Sequence, residues 1–453
     1  MIGQRKTLGT LVSLFRDPVT AEKRRLLADR WSALPDSLRR PTQGLGQKAT
    51  GCGATIGVQP KCDFSCTGCY LGAEANTIPP LPLAQVLEQL DTLRAHLGPK
   101  SNVQITDGEV TLRPIEELLR ILTYARSIGI VPMVMTHGDN LRKNPGLLER
   151  LMVDGSLTEI SIHIDITQRG RLGYRLPASE VELMPLRDEF AAMIRSARKK
   201  TGLRLRAAQT LTVTQENLPQ ISDVVTWSIH NRDAFSLISF QPMAHVGRTR
   251  EGLQGVTSAE LWREVSRATE RFGLPFTGPD AIQFGHPQCT RFVPLLVVDR
   301  NDAQPELIQF VRNSEEDIAI MGQYMESGIA GAAFRDDWPM EMLARGAGMV
   351  KARPRWIVGK GLPWMLRKIR DGGKTSITSF VLETIRGKAR LGSFTLTSHH
   401  FMSPAELETE LGKERLDACI FKVPVNGEMI PMCAVNAAGS RERFYGQLAS
   451  AAH

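Results

Sequence analysis

Short apolar runs alternate with helical patterns from residue 55 to residue 241, and this alternation restricts the chain to a small set of folds. Residues 55–59, 103–105, 130–136, 159–164, 203–213 and 235–241 read as strands. Residues 83–97, 115–127, 145–152, 179–200 and 218–229 carry helical spacing between them, and Pro185 is placed to open the regular part of the fourth helix. Strands that each lead through a helix to the next form a parallel sheet with helices outside. Six such units predict an α/β fold, a partial (β/α)6 barrel rather than a closed eight-stranded one. Functional groups in such folds sit at the C-terminal ends of the strands. Those ends are where chemistry is sought.

The first strand runs directly into Lys61-Cys-Asp-Phe-Ser-Cys-Thr-Gly-Cys-Tyr70, which places Cys62, Cys66 and Cys69 in the spacing C-x3-C-x2-C. Iron–sulfur clusters are held by cysteine thiolates, and three of them on one loop hold three corners of a [4Fe–4S] cube. The fourth iron is then open to a substrate or cofactor. Zinc is the weaker reading, because structural zinc sites take four ligands, usually in two closely spaced pairs. Buried, inert thiols are the remaining alternative.

Other strand ends carry polar groups. The second is followed by Thr106-Asp-Gly-Glu-Val-Thr-Leu-Arg-Pro114, and the third ends in Met135-Thr-His-Gly-Asp139. The fourth reads Ser161-Ile-His-Ile-Asp165, and alternation puts Ser161, His163 and Asp165 on one face. A polar face in a buried strand is costly unless it meets polar partners, which a lumen holding a ligand, or water alone, would supply. The sixth strand ends in Gln241-Pro-Met-Ala-His245.

The cysteine spacing resembles that of the radical S-adenosylmethionine (SAM) superfamily. The resemblance implies a partial barrel of radical SAM type, a [4Fe–4S] cluster on Cys62, Cys66 and Cys69, and SAM bound to its open iron. It implies reductive cleavage of SAM to methionine and a 5'-deoxyadenosyl radical, with ferredoxin or flavodoxin as reductant. Asp107, Gly108 and Glu109 match the position of the family's Gly-Gly-Glu-Pro motif, which receives the amino group of SAM. Asp107 replaces its first glycine and Val110 its proline. The same resemblance places Tyr70 and Gln241 against adenine. His137, Ser161 and His163 are further cofactor-binding candidates. Arg169 or Arg171 would take the SAM carboxylate, unless they are solvated loop charges.

Four cysteines remain, and four is the number a closed auxiliary [4Fe–4S] cluster needs: Cys52, Cys289, Cys419 and Cys433. Asn426-Gly427 signals a hairpin between the last two. A three-residue loop would set Cys419 opposite Cys433 with both thiols on one face. A two-residue loop would pair Cys419 with Ala434 and put the thiols on opposite faces. His286 is a substitute fourth ligand. The run "DGEVTLRP", the "H-P-x-C" at Cys289 and the late "C…NG…IPMC" hairpin resemble a narrower branch, the tetraether-lipid-synthase-like and methylase-like enzymes. That likeness implies hydrogen abstraction from an unactivated carbon, and carbon–carbon bond formation or methylation on a lipid-like substrate. Radical modification of a peptide or tRNA is the alternative, and an iron–sulfur redox sensor the alternative outside catalysis.

The formal net charge of the 453 residues is +8, and residues 351–391 hold most of it. Trp, Leu, Met and Ile interleave there with Arg and Lys, as in a segment seated on anionic headgroups. A plain charged surface is the competing reading, and nucleic acid the least favoured partner. No apolar run reaches the roughly 18 residues of a membrane span, and the first forty residues lack the apolar core of a secretory signal. Seven cysteines are an odd set, which suits a reducing cytoplasm rather than a disulfide framework; the basic segment adds the expectation of peripheral contact at an anionic membrane surface. Three regions are expected: an N-terminal amphipathic basic extension (1–50), the barrel (51–245), and a C-terminal auxiliary-cluster or substrate domain (246–453) with its basic amphipathic segment (351–391).

Overall fold

The computed structural model describes residues 8–48, 52–276, 282–300, 303–332, 339–372 and 376–437. Six strands follow the order expected from the sequence: β1 (Cys52–Gln59), β2 (Asn102–Asp107), β3 (Val131–Thr136), β4 (Glu159–His163), β5 (Arg206–Val213) and β6 (Phe235–Pro242). Each pairs in parallel with the next, through registers such as Ile56↔Ile105, Val134↔Ile160 and Thr210↔Ser239. Alternation along the strands sorts the side chains. Ile56, Val58, Val103, Ile105, Val134, Ile160 and Ile162 point outward into one core and have no exposed surface.

The helices supply the other half of that core at helical spacing. Val86, Leu90, Leu93 and Leu97 of the helix Leu83–Leu97 are all buried, and Phe190, Ala191, Ile194 and Ala197 of Met184–Thr201 repeat the pattern. Pro185 lies in the first turn of the latter, where its missing N–H costs nothing.

Among the described residues beyond 246 there is no separate sheet. Five further strands extend the first six at both edges: β7 (Thr290–Arg300), β8 (Glu306–Gln309), β9 (Ala389–His399), β10 (Lys422–Val425) and β11 (Glu428–Pro431). The result is one eleven-stranded sheet in the order β11-β10-β1-β2-β3-β4-β5-β6-β9-β7-β8. β9 is parallel to β6, β7 is antiparallel to β9, and β10 is parallel to β1. The two ends of this sheet curl toward each other. The His399 ring at the end of β9 lies 4.6 Å from, and perpendicular to, the Phe421 ring just before β10. Gln43 of the N-terminal segment bonds Gly285 across the same seam at 3.0 Å.

The β10–β11 turn is the two-residue form. Val425 pairs with Glu428, and Asn426 and Gly427 have φ of 51° and 82°, the left-handed pair of a type I′ turn. Of the two loop lengths the sequence allows, the two-residue one forms, and because the ladder ends at the Lys422–Pro431 pair Cys419 pairs with neither Cys433 nor Ala434. β11 ends at Pro431, on the outer edge of the sheet, and Cys433 lies in the following helix, Met432–Ala437. Among the described residues no helix is long and apolar enough to cross a membrane.

Glu180 and Arg187 form a fully buried ion pair behind the β4 and β5 ends. Glu180 Oε1 also accepts from the Ile166 N–H at 3.0 Å and from Asn217 Nδ2 at 2.7 Å, and Arg187 donates to the Ile164 and Glu180 carbonyls. Removing one partner of such a pair strands a buried charge. Arg187→Met should lower the free energy of unfolding by about 3–5 kcal/mol in urea titrations followed by circular dichroism. A loss below about 1 kcal/mol would show the pair to be no better than a surface one.

Candidate active site

The cysteine loop lies between β1 and the first long helix. Apart from one short 3-10 turn it has no regular structure, so neighbouring strand ends must hold it. Three of them do. From the β2 side, Gly108 N donates to Gln59 O (2.8 Å) and Glu109 N to Lys61 O (2.9 Å). From beyond β4, Ser65 N reaches Arg169 O (3.1 Å) and Thr67 N reaches Thr167 O (2.8 Å). From beyond β6, Arg248 N donates to Leu71 O, Arg250 N to Thr67 O, and Arg248 Nη2 to Phe64 O. Gly108 permits the first approach, because a Cβ there would sit 2.4 Å from the Pro60 and Lys61 carbonyl oxygens.

The three thiols face one cavity of about 180 Å³ at the C-terminal ends of the strands. Burial pushes Cys62 up to about 12 and raises Cys66 further. The Cys62 and Cys66 thiols are therefore held neutral in the bare loop, and a bound cation is what would make them thiolates. This donor set suits a cationic cluster with one open corner. Arg248 lies beside it. Burial pulls its guanidinium down, but charge and a hydrogen bond at Cys69 outweigh that and leave it raised.

Tyr70, Asp107, Gly108, His137, Ser161, His163 and Gln241 all line this cavity, as their positions at strand ends implied. Their partners differ from a simple ligand shell. Tyr70 Oη donates to Asp107 O at 3.0 Å. Ser161 and Thr210 share a hydrogen bond of 2.7 Å, and His163 Nε2 bonds Asp165 Oδ2 at 2.5 Å and Thr212 Oγ1 at 3.1 Å. Asp165 is fully buried; burial alone would raise it, but His163, Thr167 and the Thr212 N–H hold it down to about 2.

Glu109 is placed differently from the expectation. It has no exposed surface and does not reach the cavity. Its carboxylate accepts from Thr111 N and Oγ1, Thr136 Oγ1 and His137 N, at 2.6–3.0 Å. It ties β2 to β3 rather than offering acceptors to a ligand, and Asp107 and Gly108 are the loop residues that face the lumen. His137 is also a brace. Its Nδ1 accepts from Asp139 N at 3.1 Å, so Nε2 carries the proton and donates to Asp63 at 2.8 Å. Phe64 stacks on the ring at 3.7 Å. One ligand atom each of Cys62, Asp63 and His137 thus lies within 4.8 Å of the others, with the hydrogen bond running between Asp63 and His137. Arg171 is buried and bonds the His137 and His163 carbonyls at 2.8 and 2.9 Å, and Arg169 bonds its own loop. Arg171 thus joins the β3 and β4 ends, while Arg169 braces the loop after β4. Arg248 and the threonines Thr106, Thr210 and Thr212 were not foreseen. The threonines share the lumen parity of Ser161 and His163, but nothing local in the sequence marks Arg248.

A second group of thiols gathers at the seam. Arg415 Nε donates to Cys289 Sγ at 3.2 Å, Cys419 Sγ to Phe421 O at 3.0 Å, and Met402 N to Cys433 Sγ at 3.4 Å. Burial pushes Cys419 up to about 12 and Cys433 to about 11, and each also feels the charge of Cys289. Cys433 lines the same cavity as the first three thiols. His286 Nδ1 accepts from Gln288 N at 3.2 Å. Cys52 opens β1, and its side chain is outside the described residues.

The family model of the radical SAM superfamily matches residues 56–175. This segment is a radical SAM domain. It spans the cysteine loop and the ends of β1 to β4. A radical SAM domain implies a [4Fe–4S] cluster and SAM, which the three-thiol loop accommodates. Among solved structures, the chain is similar to Streptococcus suis SuiB bound to precursor peptide SuiA, at 14% identity and a TM-score of 0.37, over 49% of this chain and 46% of that one. It is also similar to anSMEcpe with bound AdoMet and Cp18Cys peptide, at 10% identity and a TM-score of 0.34, over 49% of this chain and 60% of that one. These matches span about half the length of those proteins. No curated protein sequence matches.

The Gly108 contact gives a direct test of the loop's dependence on its neighbours. Gly108→Ala should overpack that contact by about 1–3 kcal/mol. Iron and sulfide bound after anaerobic reconstitution should fall, with far-UV circular dichroism unchanged. Full iron retention would show that the loop holds its shape without the β2 docking.

Proposed function

We propose that this radical SAM enzyme abstracts hydrogen from an unactivated carbon of a lipid-like substrate, leading to carbon–carbon bond formation or methylation, and that Cys289, Cys419 and Cys433 hold a second iron–sulfur cluster. The observation that carries the reading is one cavity bounded by Cys62, Cys66 and Cys69 on one side and Cys433 on the other. When bound, the first cluster supplies the electron that converts SAM to methionine and a 5'-deoxyadenosyl radical. The chain's residues then have three tasks.

Polar strand ends orient the cofactor. Tyr70 is fixed by Asp107 O, His163 by Asp165, and Gln241 ends β6 at the lumen. Arg248 sets positive charge beside the cysteine loop. The opposite wall excludes water and receives the substrate. Phe401, Met402, Phe421 and Met432 line it, an apolar surface suited to an aliphatic chain. Ferredoxin or flavodoxin is the proposed electron source, in a reducing cytoplasm.

Iron content separates one cluster from two. After anaerobic reconstitution the wild type should hold about eight irons, and the Cys62→Ala, Cys66→Ala, Cys69→Ala variant about four. Reduced wild type should form 5'-deoxyadenosine from SAM, and the variant none. About four irons falling to near zero would remove the second cluster from the proposal.

Arg415 offers a finer check. Hydrogen bonds to cluster sulfurs help set reduction potential, and Arg415 is a buried donor to Cys289 Sγ. Arg415→Met should lower the midpoint potential of the second cluster by on the order of 60 mV, a tenfold change for one electron. Potentiometric titration followed by electron paramagnetic resonance reads it. An unmoved potential would mean that Arg415 only braces the His400 carbonyl and Glu406.

A further inference from the structure

The helices around the basic segment carry their apolar side chains on the wrong side for a domain surface. In the helix Pro339–Ala352 the buried residues are Glu341, Arg345 and Gly348. Arg345 Nη1 donates to Pro18 O at 2.9 Å, and Glu341 pairs with Lys100. Met340, Leu343 and Val350, at helical spacing, are exposed instead, Leu343 by 65%. The amphipathic pattern is inverted: polar groups bind the body of the protein, and an apolar stripe faces out.

Neighbouring elements continue the stripe. The helix Leu8–Arg16 packs on Pro339–Ala352 so closely that a Cβ on Gly348 would meet the Leu14 and Phe15 carbonyl oxygens at 2.7 and 2.8 Å. It exposes Leu8, Val12 and Phe15. The chain passes through the π-helical turn Ile357–Gly361, which exposes Val358, into the helix Leu362–Gly372, which exposes Leu362 and Met365 while burying Trp364 and Ile369. The next helix, Ile377–Ile385, exposes Val381, Leu382 and Ile385, the last by 76%. Isolated exposed leucines are ordinary, but adjoining exposed stripes on four helices are not.

Charge selects the occupant. Lys351, Arg353, Arg355, Lys360, Arg386, Lys388 and Arg390 are exposed among these side chains. Arg367 and Arg370 add to them, each with one exposed acidic neighbour, Glu316 and Asp371. Lys368 does not, because it is buried against Asp317. A second copy of this face would oppose cations to cations. An anionic bilayer complements both features, apolar side chains entering the acyl boundary and cations meeting headgroups.

We infer that the helices Leu8–Arg16, Pro339–Ala352, Leu362–Gly372 and Ile377–Ile385 form an interfacial face that seats this enzyme on an anionic lipid surface. The inference deepens the lipid reading of the substrate but stands on a surface remote from the thiols, so the two can fail separately.

The test is flotation of the reconstituted full chain with vesicles of phosphatidylcholine alone, or of equal parts phosphatidylcholine and phosphatidylglycerol. Wild type should float with the anionic vesicles, less so as salt rises, and not with the neutral ones. Leu343→Asn with Val350→Asn should abolish flotation. Arg355→Gln, Lys360→Gln and Lys388→Gln together should weaken partitioning about a hundredfold, at about fivefold per cation. Iron content and 5'-deoxyadenosine formation report on the active site independently and should be unchanged in both variants. Wild type that stays with the soluble fraction overturns the inference. So does wild type that sediments as a dimer which the asparagine pair dissociates, since the face would then be a self-association surface.

Discussion

The rest of the structure answers to one constraint: three thiols must converge on a loop that has almost no regular structure of its own. Backbone amides on such a loop would turn toward water if left alone. Here the Ser65 and Thr67 amides are taken by carbonyls from beyond β4, and Thr67 O and Leu71 O are taken by amides from beyond β6. The loop is thereby referred to the frame of a whole parallel sheet. That explains the polar bracing behind it. Glu109, His137 and Arg171 are buried, and with the exposed Asp63 their hydrogen bonds join the loop to the β2, β3 and β4 ends. Each is a residue type that burial penalises, and each is retained with partners.

The seam between the two edges of the sheet is the second consequence. A six-stranded parallel sheet leaves β1 and β6 as open edges. This chain covers β1 with the β10–β11 hairpin and β6 with β9, and the two additions meet through His399 and Phe421. Burial keeps His399 well below its usual range, down to about 3, so the contact is between a neutral ring and an aromatic one. Because Cys289 precedes β7, Cys419 precedes β10 and Cys433 follows β11, closing the seam is also what gathers the second group of thiols. The pairing of strands and the assembly of that site are one event.

The sequence was most informative where a signal is local. Period-2 apolar runs such as Ile160, Ile162 and Ile164 located the strands, and the alternation with helices gave their parallel order. The cysteine spacing gave the loop, and lumen parity gave Ser161 and His163. Local patterns could not show that β9, some 150 residues beyond β6 in the chain, would pair with it. Nor could they distinguish two turn lengths around Asn426-Gly427, since both satisfy the same dipeptide. The acidic residue of the β2 loop was read from a motif position, but whether such a carboxylate faces a ligand or its neighbours depends on Thr111, two residues away, and on Thr136, which only the fold brings to Glu109. Lys368 looked like one more cation of a basic run until Asp317 was found beneath it.

These features together bear on how a nonpolar substrate could reach a buried radical chemistry. The cavity is asymmetric: hydroxyls, imidazole and carboxamide at the β2 to β6 ends, and Phe401, Phe421, Met402 and Met432 at the seam. A polar cofactor and an aliphatic chain would each find a matching wall, and neither would need to desolvate the other's contacts. On the proposed lipid reading, an aliphatic substrate would have little reason to enter water between a membrane and this wall. The proposed interfacial face would address that problem physically, because a protein seated in the headgroup layer would receive such a substrate across a boundary of similar polarity. Polarity therefore links the inverted helix Pro339–Ala352 to the apolar side of the cavity, two features separated in the chain and unrelated by any sequence motif.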